Sequence, residues 1–222
     1  ELHLDLDVQQ AAFEILTGRR GAIVALETKT GGVLAAASTP SYDANLFARR
    51  ITYAQYQALQ DDIDLPLFNR VLQGQYPPGS TIKPFVGLAG LEERVINMSS
   101  TVFDPGWYQL PNDERFYRDW KRTGHGNRVD FIGAMEESCD VYYYDLAFKL
   151  GVNTIHNYLD RFGFGNRSGL DVPNERMGIN PSPQWKRSQG RGGWYPGDTL
   201  NIGIGQGFML ATPMQLAYAT NI

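Results

Sequence analysis

The 222-residue chain has a single cysteine, Cys139, so no disulfide can form within it, and cysteine usage does not fix the redox compartment. It has no apolar run approaching the ~18 residues that cross a bilayer. Neither sign of charge dominates: the net charge is −4 with 20% charged residues, a mild acidity that gives no reason to expect nucleic acid as a partner. Basic residues do gather at Arg118, Lys121, Arg122 and Arg128, and again at Lys186, Arg187 and Arg191; both groups read as solvated surface. Repeats and low-complexity tracts are absent. The opening "ELHLDLDVQQ" is neither basic nor continuously apolar, which excludes a signal peptide, and no methionine begins it. The closing "TPMQLAYATNI" stops inside a helical pattern. Both ends read as cut, and an internal piece of a longer protein is expected.

What is present suffices for one sizeable core, with 42% hydrophobic residues. Helical spacing over 7–17 places Val8, Ala11, Ala12, Ile15 and Leu16 on one face. The runs 21–27 and 33–38, joined by a Gly-containing turn, predict a β-hairpin. Residues 41–75 read as loop and short helix. A buried helix is expected over 80–93, with Pro84 tolerated in its first turn. The Gly-, Pro-, Asp- and aromatic-rich 101–130 reads as an irregular excursion. Helices follow at about 131–137, 141–150 and 152–162. The segment 166–198 reads as mostly loop, with room for a hairpin. A last helix, 212–222, has Thr212 suited to the N-cap and Pro213 to the first helical position. Two strands cannot support a helical layer alone, so further strands are expected beyond Ile222, in an α+β architecture of helices on an antiparallel sheet.

Two stretches carry chemistry. In "YPPGSTIKPF", residues 76–85, Lys83 lies one turn after Ser80 and an apolar helix follows. Ser80 can simply cap that helix. It can also be a nucleophile: an amine on the same face would be partly desolvated, and a helix N-terminus favours a developing oxyanion. In "ESCDVYYYDLA", residues 137–147, Ser138 and Asp140 stand two apart on a tight segment between helices. Either can cap the helix from Val141, or both can project into one site. Tyr142, Tyr143 and Tyr144 are read as core rather than cleft, and Trp120, Trp185 and Trp194 carry no assignment.

"YPPGSTIKP", then "SCDVYYYDLA", then "IGIGQGFMLATPMQLA" together resemble the class B penicillin-binding proteins, most closely the penicillin-binding protein 2 type of cell elongation. The likeness runs from "LDLDVQQAA" to the final helix. It implies a penicillin-binding/serine β-lactamase-like transpeptidase fold, with residues 1–222 a C-terminally incomplete transpeptidase domain. An N-terminal anchor, a pedestal region and the strand bearing the third motif would lie outside the chain. It also implies Ser80 as acylated nucleophile, Lys83 as its proton acceptor and Ser138 as relay to the leaving amine. Asp140 stands where the family more often has asparagine, which bears on the polarity of the site. The "KTG" at Lys29–Gly31 is a hairpin turn some fifty residues before Ser80 and is refused as the third motif.

The implied activity is a peptidoglycan DD-transpeptidase, crosslinking stem peptides made from lipid-linked precursors and inactivated by β-lactams. The implied setting is the periplasm, on an inner-membrane anchor, beside a glycan polymerase of the elongation machinery. Two rivals remain: a β-lactamase or penicillin sensor on the same fold, and a scaffold without catalysis. No cofactor is needed for the chemistry. Cys139 reads as a small buried hydrophobe or, with Asp104, Asp119 and His125 from the excursion, as part of a four-coordinate zinc site. The resemblance adds weight to a structural zinc beside the second motif.

Overall fold

A computed structural model describes residues 2–222; Glu1 lies outside the described residues. In chain order the elements begin with α1 (Leu6–Ile15), β1 (Gly21–Leu26), β2 (Val33–Thr39), α2 (Asn45–Ala48) and α3 (Tyr53–Asp61). A 3-10 turn, Gly79–Ile82, runs into α4 (Lys83–Glu92), followed by β3 (Val102–Asp104), β4 (Trp107–Gln109), β5 (Phe116–Arg118) and β6 (Gly126–Val129). The rest is helical: α5 (Phe131–Glu136), α6 (Asp140–Arg161), α7 (Pro183–Ser188), α8 (Pro196–Gly203) and α9 (Pro213–Asn221). The chain divides into two units.

One unit holds the residues up to Gln75, with Arg167–Met177 and Ala211–Ile222. Its hairpin is the expected one: β1 and β2 pair antiparallel from Gly21↔Thr39 to Ala25↔Ala35, with a register shift before Leu26↔Val33. The Glu27 carboxylate closes the turn by accepting the Lys29 and Thr30 amides at 3.1 and 2.8 Å. Lys29 is thus exposed turn, as its refusal requires. Ala12 and Leu16 of the first helix pack on Ala35 and Ala37 of β2, with Phe13, Ile23 and Ala25 around them. The expected apolar face of α1 needs correction, because Val8 and Ile15 are 37% and 63% exposed. A polar residue sets the rotation: Gln9 exchanges two hydrogen bonds with the Ala36 backbone on the open edge of β2, at 2.8 and 3.2 Å. Helix α9 begins as the sequence predicts, with Thr212 and Gln215 forming a reciprocal cap.

The other unit, Tyr76–Asn166 with Gly178–Leu210, is built on α6. Helices α4 and α8 pack against it. Gly203 allows the closest approach, since a Cβ there would stand 2.4 Å from that of Ala147. Gly151, at φ 74°, breaks α6 where two helices were expected. Tyr142, Tyr143 and Tyr144 are all buried, which makes them core.

Three expectations fail here. Residues 101–130 are not irregular: β3 pairs with β6, and the hairpin β4–β5 sits inside their loop. Strands of three or four residues are too short for alternation to register as a pattern. The segment 166–198 is mostly loop, as expected, but among the described residues the hairpin is missing and it carries α7 and the start of α8, each with proline at its N-terminus. Composition hid those helices, although proline is a favoured helix opener. Finally, Lys186 is not solvated surface. It is 4% exposed, bonded to Asp198 Oδ2 at 2.5 Å, with the rings of Trp194, Tyr195 and Phe208 within 6 Å of its ammonium.

Candidate active site

The stretch before Ser80 cannot continue as α-helix, because Gly79 sits at φ 58°. Ser80 therefore lies in the 3-10 turn rather than in the helix proper, and Lys83 opens α4 with Pro84 behind it. Thr81 Oγ1 donates to Pro78 O at 2.7 Å and fixes the turn from within. Gly79 N donates to Gly205 O at 2.9 Å and fixes it from outside. Gly205 must be glycine: its φ is 68°, and a Cβ would stand 2.2 Å from the Gly79 carbonyl oxygen. The Gly-Gln-Gly segment thus braces the residue before Ser80.

Ser138 links α5 to α6 at φ 53°, a left-handed conformation costing on the order of 1–3 kcal/mol for a residue with a side chain. That conformation turns its hydroxyl onto Ser80, Oγ to Oγ at 2.9 Å. Lys83 Nζ meets Ser138 Oγ at 3.1 Å, Ser138 O at 2.8 Å and Asp140 Oδ1 at 2.7 Å. Its side chain is 2% exposed and that of Asp140 14%. All four residues singled out from the sequence are therefore brought together. The connection is indirect, however. Among the described residues no hydrogen bond joins Ser80 to Lys83, and Ser138 stands between them.

The three protons of a lysine ammonium find three acceptors here. A neutral amine fits equally well: two N–H groups serve Ser138 O and Asp140, and the lone pair faces Ser138 Oγ. The same atoms can then pass a proton from Ser80 through Ser138 to Lys83 without any of them moving. Sequence reasoning missed Trp120. Its backbone N–H reaches Asp140 Oδ2 at 3.3 Å and its indole N–H donates to Glu137 O at 3.0 Å.

The second group singled out from the sequence also converges. Ligand atoms of Asp104, Asp119, His125 and Cys139 all lie within 4.8 Å of one another. Asp104 Oδ2 stands 2.5 Å from His125 Nδ1 and accepts from Cys139 Sγ at 3.4 Å. Asp119 Oδ2 accepts the Val141 amide at 3.0 Å, and Cys139 Sγ accepts that of Tyr142 at 3.3 Å, so the group grips the start of α6. Burial would push the Asp104 carboxyl up, but hydrogen bonds from His125, Gly106 and Cys139 outweigh it and hold it below the usual carboxylate range. Burial pushes the Cys139 thiol well up, and the Asp104 and Asp119 carboxylates add to the effect. His125 Nε2 is buried with no hydrogen-bond partner among the described residues.

Residues 21–222 match the family model described as the penicillin binding protein transpeptidase domain. Over its whole length the chain is 46% identical to the peptidoglycan D,D-transpeptidase MrdA of Escherichia coli K12, of which it spans 35%. The structure of Pseudomonas aeruginosa PBP2 in complex with WCK 5153 superposes at a TM-score of 0.96 with 53% identity, covering 99% of this chain and 48% of that one. The Helicobacter pylori PBP2 in complex with MreC gives 0.91 and 40% identity, over 97% of this chain and 40% of that one. The architecture is the penicillin-binding transpeptidase fold, and the chain belongs to the penicillin-binding protein transpeptidase domain family.

Proposed function

We propose that the chain is a partial transpeptidase domain, the N-terminal anchor, pedestal region and third-motif strand lying outside it, and that it performs serine acyl transfer on peptidoglycan stem peptides. The observation that carries this reading is the unbroken path Ser80 Oγ–Ser138 Oγ–Lys83 Nζ, at 2.9 and 3.1 Å. Ser80 Oγ attacks the carbonyl of the penultimate D-alanine. Its proton passes through Ser138 to the neutral Lys83 amine. As the C–N bond breaks, the proton passes from Lys83 back to Ser138 and from Ser138 to the departing D-alanine nitrogen, leaving an ester on Ser80. An amine of a neighbouring stem then attacks the ester carbonyl; the new amide forms as the bond to Ser80 Oγ breaks, and one amine proton passes through Ser138 and Lys83 to restore the Ser80 hydroxyl. Asp140 accepts from Lys83 throughout and keeps its nitrogen aimed at Ser138. A β-lactam enters by the same attack, its ring amide opening where the peptide bond would break.

The 46% identity to a named D,D-transpeptidase supports the substrate class. The similarity to a PBP2 seen with MreC, and to a peptidoglycan synthase complex that coordinates polymerization and crosslinking, supports a partner that polymerises glycan, and we place this domain in the periplasm beside it. No helix among the described residues is long and apolar enough to cross a membrane. The distinguishing measurement is adduct lifetime in the full-length protein. A labelled penicillin is expected to remain attached for many minutes, as in a transfer enzyme that lacks its acceptor. Release within seconds would make the protein a hydrolase.

The donor set Asp104, Asp119, His125 and Cys139 fits zinc. Tetrahedral zinc with bonds of about 2.0–2.3 Å holds its ligand atoms about 3.3–3.8 Å apart. Cys139 Sγ to Asp104 Oδ2 is 3.4 Å and His125 Nδ1 to Asp119 Oδ1 is 3.8 Å, while His125 Nδ1 and Asp104 Oδ2, at 2.5 Å, share a hydrogen bond that a metal would replace, moving the two atoms apart. Both carboxylates are buried beside the thiol, a hard and soft donor pair suited to a divalent cation. The metal would supply structural charge compensation behind the second motif and take no part in acyl transfer.

A further inference from the structure

Residues 137–140 must hold a left-handed Ser138 between two helix ends, and a residue from another element supplies part of that restraint. Trp120 is 61% exposed, yet both of its donors point inward. The indole N–H caps the Glu137 carbonyl, the group immediately before Ser138, at 3.0 Å. The backbone N–H reaches Asp140 Oδ2, the carboxylate oxygen not used by Lys83, at 3.3 Å. Asp119, next in sequence, accepts the Val141 amide. Two consecutive residues thus strap the segment from both sides of Ser138. The backbone of that loop is also tied by Glu137 N to Gly133 O at 2.9 Å, Cys139 N to Ala134 O at 3.0 Å, the longer Ser138 N to Met135 O at 3.4 Å, and Lys83 Nζ to Ser138 O at 2.8 Å, but none of these holds the Glu137 carbonyl.

We propose that Trp120 is a positioning residue for acyl transfer: its indole N–H fixes the Glu137–Ser138 peptide and thereby the aim of the Ser138 hydroxyl between Ser80 and Lys83. The inference rests on the acyl-transfer reading and deepens it. Among the described residues the bond is the only polar tie of the indole; the ring meets that of His125 edge-on at 5.7 Å and Trp120 is otherwise largely exposed, so exchange for another aromatic ring opens no cavity. A hydroxyl that must receive and pass on a proton across 2.9 and 3.1 Å tolerates little rotation.

Two variants of the full-length protein, with its native metal content, isolate the N–H. Trp120→Phe keeps an aromatic ring and loses the donor. Replacement of the indole by benzothiophene, through a non-natural amino acid, keeps the shape and exchanges N–H for sulfur. Both are expected to lower the penicillin acylation rate constant by about tenfold, with the dissociation constant of the preceding complex and the thermal midpoint nearly unchanged. Amide hydrogen exchange across residues 137–142 should rise by about fivefold in the absence of any ligand. An acylation rate within twofold of wild type, or unchanged exchange in that segment, overturns the inference. So does a loss of rate that tracks a fall in thermal midpoint. If wild-type protein forms no adduct, the acyl-transfer reading fails, while the exchange measurement still decides whether the indole restrains the segment.

Discussion

Lys83→Ala is expected to reduce the rate of penicillin acylation by about 10²–10⁴-fold, the range that a positioned general base supplies. The amine is the last acceptor on the path from Ser80, and it has no substitute in reach among the described residues. The variant also removes the cation paired with Asp140 in a setting where the lysine is 1% exposed. Breaking a buried pair by deleting one partner costs about 3–5 kcal/mol. Asp140 keeps its bond from Trp120 N and part of its solvent exposure, so the lower end applies, and the thermal midpoint should fall by about 6–12 °C. The two effects are separable. Lys83→Met combined with Asp140→Asn removes both charges and is expected to recover most of the midpoint, while acylation stays lost. Normal acylation at neutral pH in Lys83→Ala would contradict the role of the amine.

Removal of the proposed zinc should have the larger effect on stability. Chelator-free protein is expected to hold one zinc per chain by elemental analysis. Cys139→Ala and Asp104→Ala should lose it and melt at least about 10 °C lower, because a metal bound only by the folded form stabilises by its full binding free energy. The effect should spread to acylation, since Asp119 and Cys139 hold the first amides of α6 and Cys139 separates Ser138 from Asp140. In the metal-free state the thiol has to stay protonated, because burial and both carboxylates disfavour the thiolate. A chelator should therefore leave a protonated Cys139 donating to Asp104. No zinc above background in protein never exposed to chelator would remove the proposal.

The legible part of this chain is the part whose signals are local. Ser80 and Lys83 are three residues apart, Ser138 and Asp140 two apart, and the type and spacing of those residues raised the question of one site before any geometry was known. The hairpin of β1 and β2 and the cap of α9 were legible for the same reason. The proposed metal ligands were legible as chemistry, a soft donor and borderline and hard ones in one region, but the ladders β3–β6 and β4–β5 that bring Asp104, Asp119 and His125 to Cys139 were not.

The misses share a cause. The rotation of α1 is fixed by Gln9 bonding a strand edge 27 residues away, and a count of apolar positions does not register a polar anchor. Lys186 reads as surface in a basic cluster until Trp194, Tyr195 and Phe208 surround it. Trp120 sits in a loop-rich stretch, and its meaning comes from Glu137 and Asp140, 17 and 20 positions on. The interposition of Ser138 between Ser80 and Lys83 depends on a backbone angle that an ordinary serine seldom adopts, and no pattern in the sequence announces it.

The most direct test is a peptide map of the full-length protein after treatment with penicillin. Mass spectrometry should find one penicilloyl group per chain, on the fragment that contains Ser80, and none in Ser80→Ala. An adduct on any other residue, or no adduct on intact protein, would contradict the account.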